Sequence, residues 1–147
     1  MRILCIDYGD ARIGVAVSDP MGWTAQMLET IRWRGEIQKP VERIGELAGQ
    51  YACKLIVVGL PRNMDGSAGF RELKTREFIG ELEAKLPGIE FKTWDERLTT
   101  VMAQRAMHDM GIDSKKQKGR IDQMAAAFIL QGYLDSLNSR KNFQQSD

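Results

Sequence analysis

The alternation of hydrophobic and polar positions along the chain predicts five β-strands. Residues 2–6 and 54–60 are continuous apolar runs, the pattern of strands that are buried on both faces of a sheet. Residues 12–19 carry apolar residues at period two, and residues 26–33 and 89–94 are two further strand candidates. The turn between the first two strands is short, which predicts a hairpin, so the chain begins with a three-strand meander.

Apolar residues at helical spacing predict four helices between and after these strands. Pro40 suits a first helical position, and Thr99 or Thr100 suits the N-cap of a later helix. The long charged helix before Pro87 is expected to turn its apolar side chains toward the core, namely Phe70, Leu73, Phe78, Leu82 and Leu86. The predicted helices span residues 40–53, 70–86, about 100–110 and 121–137.

The order of the elements is three strands, then helix, strand, helix, strand and two helices. This order predicts an α/β fold with a five-stranded mixed sheet and helices on both faces. Right-handed crossovers then place the fourth strand beside the first. Residues 1–137 are predicted to form a single domain, residues 111–119 a mobile lysine-rich loop, and residues 138–147 a flexible polar tail with too little apolar content to fold.

Composition restricts the class of protein only slightly. The chain has 147 residues with 21 basic and 20 acidic side chains, a formal charge of +1, so net charge gives no sign of a nucleic-acid partner. Cys5 and Cys53 lie in or beside apolar segments, which predicts buried thiols in a reducing compartment. No segment approaches the roughly 20 apolar residues of a membrane span, and no signal peptide is recognisable, so we expect a cytoplasmic protein without membrane contact.

Three acids are the strongest candidates for chemistry. Asp7 ends the first strand, Glu96 directly follows the fifth, and Asp122 lies in the first turn of the last helix. Asp7 falls at the carboxyl edge of the sheet, where open α/β sheets bind ligands, and Glu96 shares that edge if the fifth strand runs parallel to the first. The face around Asp122 is apolar and rich in alanine. Each acid also has an ordinary interpretation, because Asp7 suits a turn and the other two suit the amino end of a helix.

Three carboxylates at one edge would repel one another unless a cation joined them. Oxygen-only ligands favour Mg²⁺ or Mn²⁺, and such ions support in-line displacement at phosphorus. Asp7, Glu96 and Asp122 are therefore predicted to be metal ligands and catalytic residues for phosphodiester hydrolysis. Gly9 would let a phosphate or a metal approach the backbone beside Asp7, although the turn alone also explains a glycine there.

Basic residues near the predicted loops of this edge are candidates for phosphate contacts. Charges in loops are ordinarily just solvated, so each candidate keeps that alternative. The predicted nucleic-acid-binding residues are Arg12, Arg62, Arg97, Lys116, Lys118 and Arg120.

Four segments of the chain, taken in order, match motifs of one known family. They are residues 6–19, residues 57–61 with 65–67, residues 94–99, and residues 118–122 leading into Ala125 and Ala126. From residue 3 to about residue 137 the chain resembles the YqgF/RuvX family, relatives of the RuvC resolvase. The resemblance implies a ribonuclease H-like fold, with Asp7, Glu96 and Asp122 in the places of the family's acidic residues.

The same resemblance implies an activity. The family is associated with processing the 5′ end of precursor 16S rRNA and was earlier proposed to resolve Holliday junctions. We therefore expect a Mg²⁺- or Mn²⁺-dependent endonuclease whose partner is nucleic acid. Other ribonuclease H-like nucleases commonly carry an acid around the fourth strand, whereas residues 57–61 have none, so the number of bound ions stays open.

Two other classes of function are compatible with the sequence. One is a non-catalytic factor that binds ribosomal RNA during assembly. The other is an ATPase, because an Asp-x-Gly hairpin also resembles the phosphate-binding start of actin-like and sugar-kinase proteins, although those clamp nucleotide between two domains and this chain has room for one. Precursor RNA and branched DNA are not distinguished, because phosphate contacts carry no information about base or sugar. A monomer and a homodimer both fit the sequence.

Overall fold

The computed structural model describes residues 2–63, 65–98 and 120–145. Within them the chain forms five strands and three α-helices, and a 3₁₀ turn, Glu96–Leu98, follows the last strand. The strands are β1 (Ile3–Asp7), β2 (Arg12–Ser18), β3 (Ala25–Arg32), β4 (Leu55–Leu60) and β5 (Glu90–Asp95), and the helices are α1 (Gln38–Gln50), α2 (Phe70–Lys85) and α3 (Ile121–Gln145). The helix predicted near residues 100–110 and the loop predicted at 111–119 lie outside the described residues.

The five strands form one mixed sheet in the order β3-β2-β1-β4-β5. β2 pairs antiparallel with β1 and with β3, which gives the predicted meander, and β1, β4 and β5 run parallel to one another. The fourth strand lies beside the first, as right-handed crossovers require. The three parallel strands therefore end at one side of the sheet, which we call the carboxyl edge.

Alternate residues of β1 face opposite layers of helices. Leu4 and Ile6 pack in one core cluster with α1 and α2, whereas Ile3 and Cys5 pack in the other with α3. The predicted arrangement of helices on both faces of the sheet is thus confirmed. Because side chains alternate along a strand, Asp7 falls on the α3 face at the end of β1.

The two cysteines are buried free thiols, as their apolar neighbours predict. Burial is the main reason why the pKa of the Cys5 thiol is raised well above its ordinary value, and the negative charges of Asp7 and Glu96 add to it. Burial raises the pKa of Cys53 as well. Neither thiol is therefore a good nucleophile at neutral pH.

The apolar face of α2 differs from the predicted one. Phe78 and Leu82 are buried, but Phe70 and Leu73 are 72% and 54% exposed, so the prediction that both of these point inward is wrong. Helical geometry is the reason. When the buried positions of the later turns, such as Phe78 and Leu82, are continued back at helical spacing, the residue of the first turn that faces the core is Glu72.

Glu72 is buried because two arginines accompany it. The Nε of Arg62 lies 3.4 Å from its Oε1, and the Nε of Arg76 lies 3.1 Å from its Oε2. A pattern of hydrophobic positions does not predict such a buried carboxylate, since its burial depends on charged partners.

The last helix continues beyond its predicted end. Residues 138–145 belong to α3, so the prediction of a flexible polar tail is wrong for these residues. Once a helix is nucleated, each further residue adds a hydrogen bond, and no glycine or proline interrupts this stretch. Asn138 Nδ2 also donates to the backbone oxygen of Gly22, 3.4 Å away. Among the residues that the structure describes, α3 and the other helices lack the length or hydrophobicity needed to cross a bilayer.

Candidate active site

Asp7 is held at the carboxyl edge by its strand neighbours. It ends the central strand β1, and its Cα is paired with that of Gly14 on β2. Its side chain is partly buried on the α3 face, after four buried apolar residues that fix the strand in the sheet. Its predicted position at the carboxyl edge is thus the observed one.

Glu96 reaches Asp7 because the neighbouring strand β4 carries a glycine beside it. A Cβ built on Gly59 would lie 2.6 Å from Glu96 Oε1, so the Glu96 carboxyl fills the space that any side chain at this position would need. The side chains of Asp7 and Glu96 are hydrogen-bonded to each other. The absence of a side chain at Gly59 of β4 and the position of Glu96 in the turn after β5 together allow the Asp7 and Glu96 carboxyl groups to pair.

A second glycine brings α3 onto the sheet at the other side of Asp7. A Cβ on Gly14 would overlap the backbone oxygen of Asp122, so the first turn of α3 lies directly on β2. Asp122 is then close enough for its charge to act on Asp7. The Oδ2 of Asp122 lies 3.2 Å from the Nε of Arg12, which gives this carboxylate a cationic neighbour. The fold thus brings the three predicted acids to one side of the sheet.

The pKa of Asp7 is raised well above the ordinary value of an aspartate. Burial is the largest cause, followed by the hydrogen bond to Glu96 and by the negative charges of Glu96 and Asp122, while the charge of Arg71 acts in the opposite sense. Two carboxyls this close repel each other when both are ionised, so they hold a proton between them more readily than isolated carboxyls do. The pair is therefore suited to bind either a proton or another cation.

The three acids have the oxygen donors that a divalent cation prefers, but their side chains lie too far apart in this structure to hold one ion together. Within residues 2–63, 65–98 and 120–145, no three acidic, histidine or cysteine side chains are close enough together to hold one ion. Asp122 Oδ2 is buried and makes no hydrogen bond, although the Nε of Arg12 lies 3.2 Å away in an ion pair. A buried carboxylate oxygen without a hydrogen bond and a hydrogen-bonded carboxyl pair nearby are the kind of hard oxygen donors that Mg²⁺ and Mn²⁺ prefer.

Three of the arginines predicted to bind nucleic acid have an acidic partner in the protein. The pairs are Arg12 with Asp122, Arg62 with Glu72, and Arg97 with Asp95. The tightest is the last, with Arg97 Nη2 2.6 Å from Asp95 Oδ2. Arg120 is exposed directly before α3, and Lys116 and Lys118 lie outside the described residues. Contact of these six residues with nucleic acid stays a prediction.

The turn between β1 and β2 explains Gly9 without a ligand. A Cβ at this position would lie 2.5 Å from the backbone oxygen of Arg12, so the turn itself requires a glycine. The Gly9 carbonyl also accepts a hydrogen bond of 3.0 Å from the indole Nε1 of Trp33. Approach of a phosphate or metal to the Gly9 backbone stays a prediction that the turn geometry does not require.

The apolar pattern of the sequence does not point to two cations of α2, Arg71 near Asp7 and Lys74 beside the β1–β2 turn. Arg71 is close enough for its charge to lower the pKa of Asp7, and Lys74 Nζ lies 3.4 Å from Asp10 Oδ1. The wrong helical phase for the first turn of α2 concealed both. The signal that points to them is helical spacing from Phe78, because positions 74 and 71 lie four and seven residues before it on the same side of the helix.

The raised pKa of Asp7 predicts a loss of stability as pH rises. In the unfolded chain an aspartate ionises near its ordinary pKa of about 3.9, whereas folded Asp7 keeps its proton to higher pH. Between the two pKa values the folded state binds more protons, so the contribution of this group to stability is fully present below the unfolded pKa and is lost as pH rises through the folded pKa. Urea unfolding in EDTA at about pH 5 and about pH 8 should show wild type losing more stability than Asp7→Asn. The same pH dependence in both proteins would contradict this assignment.

The sheet order β3-β2-β1-β4-β5 and the helices on both faces define a ribonuclease H-like α/β fold. Thermus thermophilus RuvC, solved in complex with a Holliday junction substrate, is similar over 95% of this chain and 96% of that chain, with a TM-score of 0.61 and 13% identity. The yeast mitochondrial Holliday junction resolvase is similar over 98% of this chain and 83% of that chain, with a TM-score of 0.56 and 14% identity. At these identities the likeness shows the fold.

Sequence comparison then gives the family. The family model RuvX, described as Holliday junction resolvase, matches residues 1–136, and the chain belongs to this family. A relative from Acetivibrio thermocellus is 57% identical over 136 residues, covering 92% of this chain and 96% of its own length. One from Ruminiclostridium cellulolyticum is 51% identical over 141 residues, covering 96% and 99%. Both relatives bear the name "Putative pre-16S rRNA nuclease". The resemblance drawn from the sequence motifs is confirmed.

Proposed function

We propose that this protein is a divalent-metal-dependent endonuclease that hydrolyses phosphodiesters in precursor 16S rRNA, with Asp7, Glu96 and Asp122 as its catalytic acids. The observation that carries the proposal is the hydrogen-bonded carboxyl pair of Asp7 and Glu96 at the carboxyl edge. Glycine at position 59 of β4 leaves the space that the Glu96 carboxyl occupies. The name that the relatives bear supports RNA as the substrate.

The acids have distinct parts in the proposed reaction. Asp7, Glu96 and Asp122 would hold Mg²⁺ or Mn²⁺, which when bound stabilises the negative charge that develops on the phosphate oxygens. A water oxygen attacks phosphorus while the bond from phosphorus to one sugar oxygen breaks; a carboxylate of the Asp7 and Glu96 pair accepts the proton from the water, and the leaving sugar oxygen takes up a proton from solvent. Asp122 adds the third carboxylate from α3, and Arg12 limits the repulsion among the three.

The predicted basic residues complete the proposed site as contacts for the strand. Arg12 is the nearest to the acids, and its side chain is 40% exposed, so it can reach a phosphate from its position beside Asp122. Arg62, Arg97, Arg120, Lys116 and Lys118 would bind phosphates further along. We also propose that residues 1–137 contain the whole nuclease domain and that the protein acts in the cytoplasm, where buried free thiols such as Cys5 persist.

A cleavage assay on two substrates tests the proposed function. We expect the wild-type protein with Mg²⁺ to cut an end-labelled RNA carrying the 5′ end of precursor 16S rRNA, and EDTA to stop the reaction. Mn²⁺ should also raise the Tm of wild type but not that of Glu96→Gln, because the ion binds only the folded site. Binding of the RNA without any cleavage would favour the non-catalytic assembly factor instead.

The description of the family model favours one second candidate, a resolvase acting on branched DNA. A four-way DNA junction of the same length is therefore the comparison substrate in the assay. Symmetric cutting of the junction with the RNA left intact would replace the RNA proposal by this one. Such cutting requires two active sites and hence a homodimer, whereas a single processing cut requires only a monomer.

Replacing Gly59 by alanine tests the carboxyl pair separately. The new methyl group would lie 2.6 Å from Glu96 Oε1 and 2.6 Å from Ile129 Cδ1, so both side chains must move. We expect a loss of about 1–3 kcal/mol in the free energy of unfolding and at least a tenfold fall in the cleavage rate, about 1.4 kcal/mol in the barrier. Gly49→Ala is the matched control, since a Cβ there meets nothing within 4 Å. Full activity of Gly59→Ala would show that the position of Glu96 does not matter.

A further inference from the structure

Two hollows flank the start of α2 at the carboxyl edge. The small hollow, of about 50 Å³, lies between the β1–β2 turn and α2 and is lined by Tyr8, Gly9, Asp10, Arg71, Lys74 and Thr75. The large hollow, of about 210 Å³, lies between the β4–α2 loop and α2 and is lined by Pro61, Arg62, Asn63, Gly69, Phe70 and Arg71. Arg71 lines both, so the two hollows adjoin each other.

The small hollow carries two cations suited to an anion. Lys74 Nζ is held 3.4 Å from Asp10 Oδ1 and stays partly exposed. Arg71 is exposed, and in the described part of the chain no carboxylate lies within salt-bridge distance of it. Arg71 is also near enough to Asp7 for the two charges to interact. An anion bound by this pair would lie next to the proposed active site, and in a nucleic-acid strand that anion is the backbone phosphate.

The walls of the small hollow are fixed by packing on its inner side. The Tyr8 ring stacks on Phe78 with 4.7 Å between ring centroids and contacts Trp33 at 6.1 Å. Tyr8 is thus occupied by the core and is not free to stack on substrate. The aromatic ring left for that task is on α2.

An uncovered aromatic ring borders the large hollow. Phe70 is 72% exposed although it is apolar, and Lys74 Nζ lies 4.8 Å from its ring centroid, which ties the ring to the cations of the small hollow. Bases of single strands stack on such exposed rings whatever their identity. A base inside a duplex already has stacked neighbours on both faces, so Phe70 is suited to an unpaired base.

We infer that an unpaired nucleotide of the substrate strand binds at the start of α2, with its phosphate in the small hollow against Arg71 and Lys74 and its base in the large hollow against Phe70. The inference rests on the proposed nuclease function, since the same strand continues to Asp7. It adds that the substrate is single-stranded or opened beside the cut. RNA and DNA share this chemistry.

Fluorescence anisotropy with labelled dodecamers tests the site without cleavage. The probes are a single-stranded RNA, the single-stranded DNA of the same sequence and the RNA duplex, each titrated with the full chain in EDTA. The test variants are the double variant Arg71→Gln with Lys74→Gln, and Phe70→Ala. The controls are Lys54→Gln with Lys85→Gln, an equal change of charge on exposed residues at the opposite edge, and Leu73→Ala, an exposed apolar residue of the same helix.

The two test variants should differ in what they lose. The double charge variant should bind all three probes about tenfold more weakly and should reduce the salt-dependence slope of log Kd by about 1. Phe70→Ala should weaken both single strands about tenfold, with the duplex and the salt slope unchanged. The controls should bind like wild type, and all variants should keep a Tm close to that of wild type, because the changed side chains are exposed or, at Lys74, partly exposed.

Either contact can be overturned separately. If the double charge variant and its control bind equally well, the proposed phosphate contact in the small hollow is wrong. If Phe70→Ala weakens single strand and duplex equally, the proposed stacking of an unpaired base on Phe70 is wrong. If the single-stranded RNA and DNA are affected differently, the site also reads the sugar. These binding differences without cleavage of precursor rRNA would sink the nuclease proposal alone, whereas cleavage with unchanged binding would sink this inference alone.

Discussion

Asp7→Asn is expected to lower the rate of precursor rRNA cleavage by at least about a thousandfold, which corresponds to roughly 4 kcal/mol in the activation barrier. The substitution keeps the shape of the side chain and its place at the end of β1, but it removes one of the two carboxyl groups of the Asp7 and Glu96 pair. Without that charge the site loses a cation ligand and a group able to accept a proton. Single-turnover cleavage at saturating Mg²⁺ measures the effect.

The fold of Asp7→Asn should be intact and slightly more stable near pH 8. The neutral amide relieves the repulsion that raises the pKa of Asp7 beside Glu96. Asp135→Asn is the matched control, because this aspartate lies further along α3 and accepts a hydrogen bond from Gln131 that an amide oxygen can also accept. Cleavage by Asp7→Asn at the rate of Asp135→Asn would mean that Asp7 is only a turn residue.

Gly14→Ala is expected to cost about 3 kcal/mol in the free energy of unfolding and to remove most of the activity. The added Cβ overlaps the backbone oxygen of Asp122 and approaches the backbone nitrogen of Gln123 to 3.0 Å. Backbone atoms of a helix cannot rotate away as the end of a side chain can, so the whole amino end of α3 must lift from β2. Asp122 then moves away from Asp7.

Gly80→Ala provides the control for this substitution. A Cβ at Gly80 meets nothing within 4 Å, and the residue is exposed in the middle of α2. Alanine there should raise stability by up to about 1 kcal/mol, because it is the better helix former. Chemical denaturation of both variants gives the comparison. If Gly14→Ala unfolds at the same denaturant concentration as wild type, the close contact between α3 and β2 does not exist.

Much of the fold follows from local patterns in the sequence. The apolar runs that became β1 and β4 have few alternatives to a doubly covered central strand, and the handedness of crossovers then fixes them as neighbours. The position of Asp7 could be predicted for the same reason, since it is the charged residue that ends β1 and the carboxyl edge is where such sheets bind ligands. Glu96 and Asp122 needed the family motifs in addition.

Contacts between residues distant in the sequence could not be predicted. Glu72 is buried beside Arg62, which approaches it from the β4–α2 loop, so the apolar pattern of α2 alone predicts the wrong phase for its first turn. The ion pair of Arg12 with Asp122 likewise joins β2 to α3. Charged pairs of this kind are specified by tertiary structure and leave no periodic signal.

The roles of the two glycines at the site could not be predicted from the sequence either. Gly14 and Gly59 read in the sequence as ordinary small residues within strands. Only the structure shows that each leaves room for one of the acids, Gly14 for the backbone of Asp122 and Gly59 for the side chain of Glu96. An isolated strand glycine signals a close approach, but it does not say what approaches.

The most direct measurement is the cleavage rate of the double variant Asp7→Asn with Glu96→Gln beside the rates of the two single variants. Residues that act as one catalytic unit lose their effect together, so the double variant should be no slower than the slower single variant by more than about threefold. Losses that multiply would show two independent contributions. A single variant that still cuts precursor rRNA at the wild-type rate with Mg²⁺ present would contradict an active site built on the Asp7 and Glu96 pair.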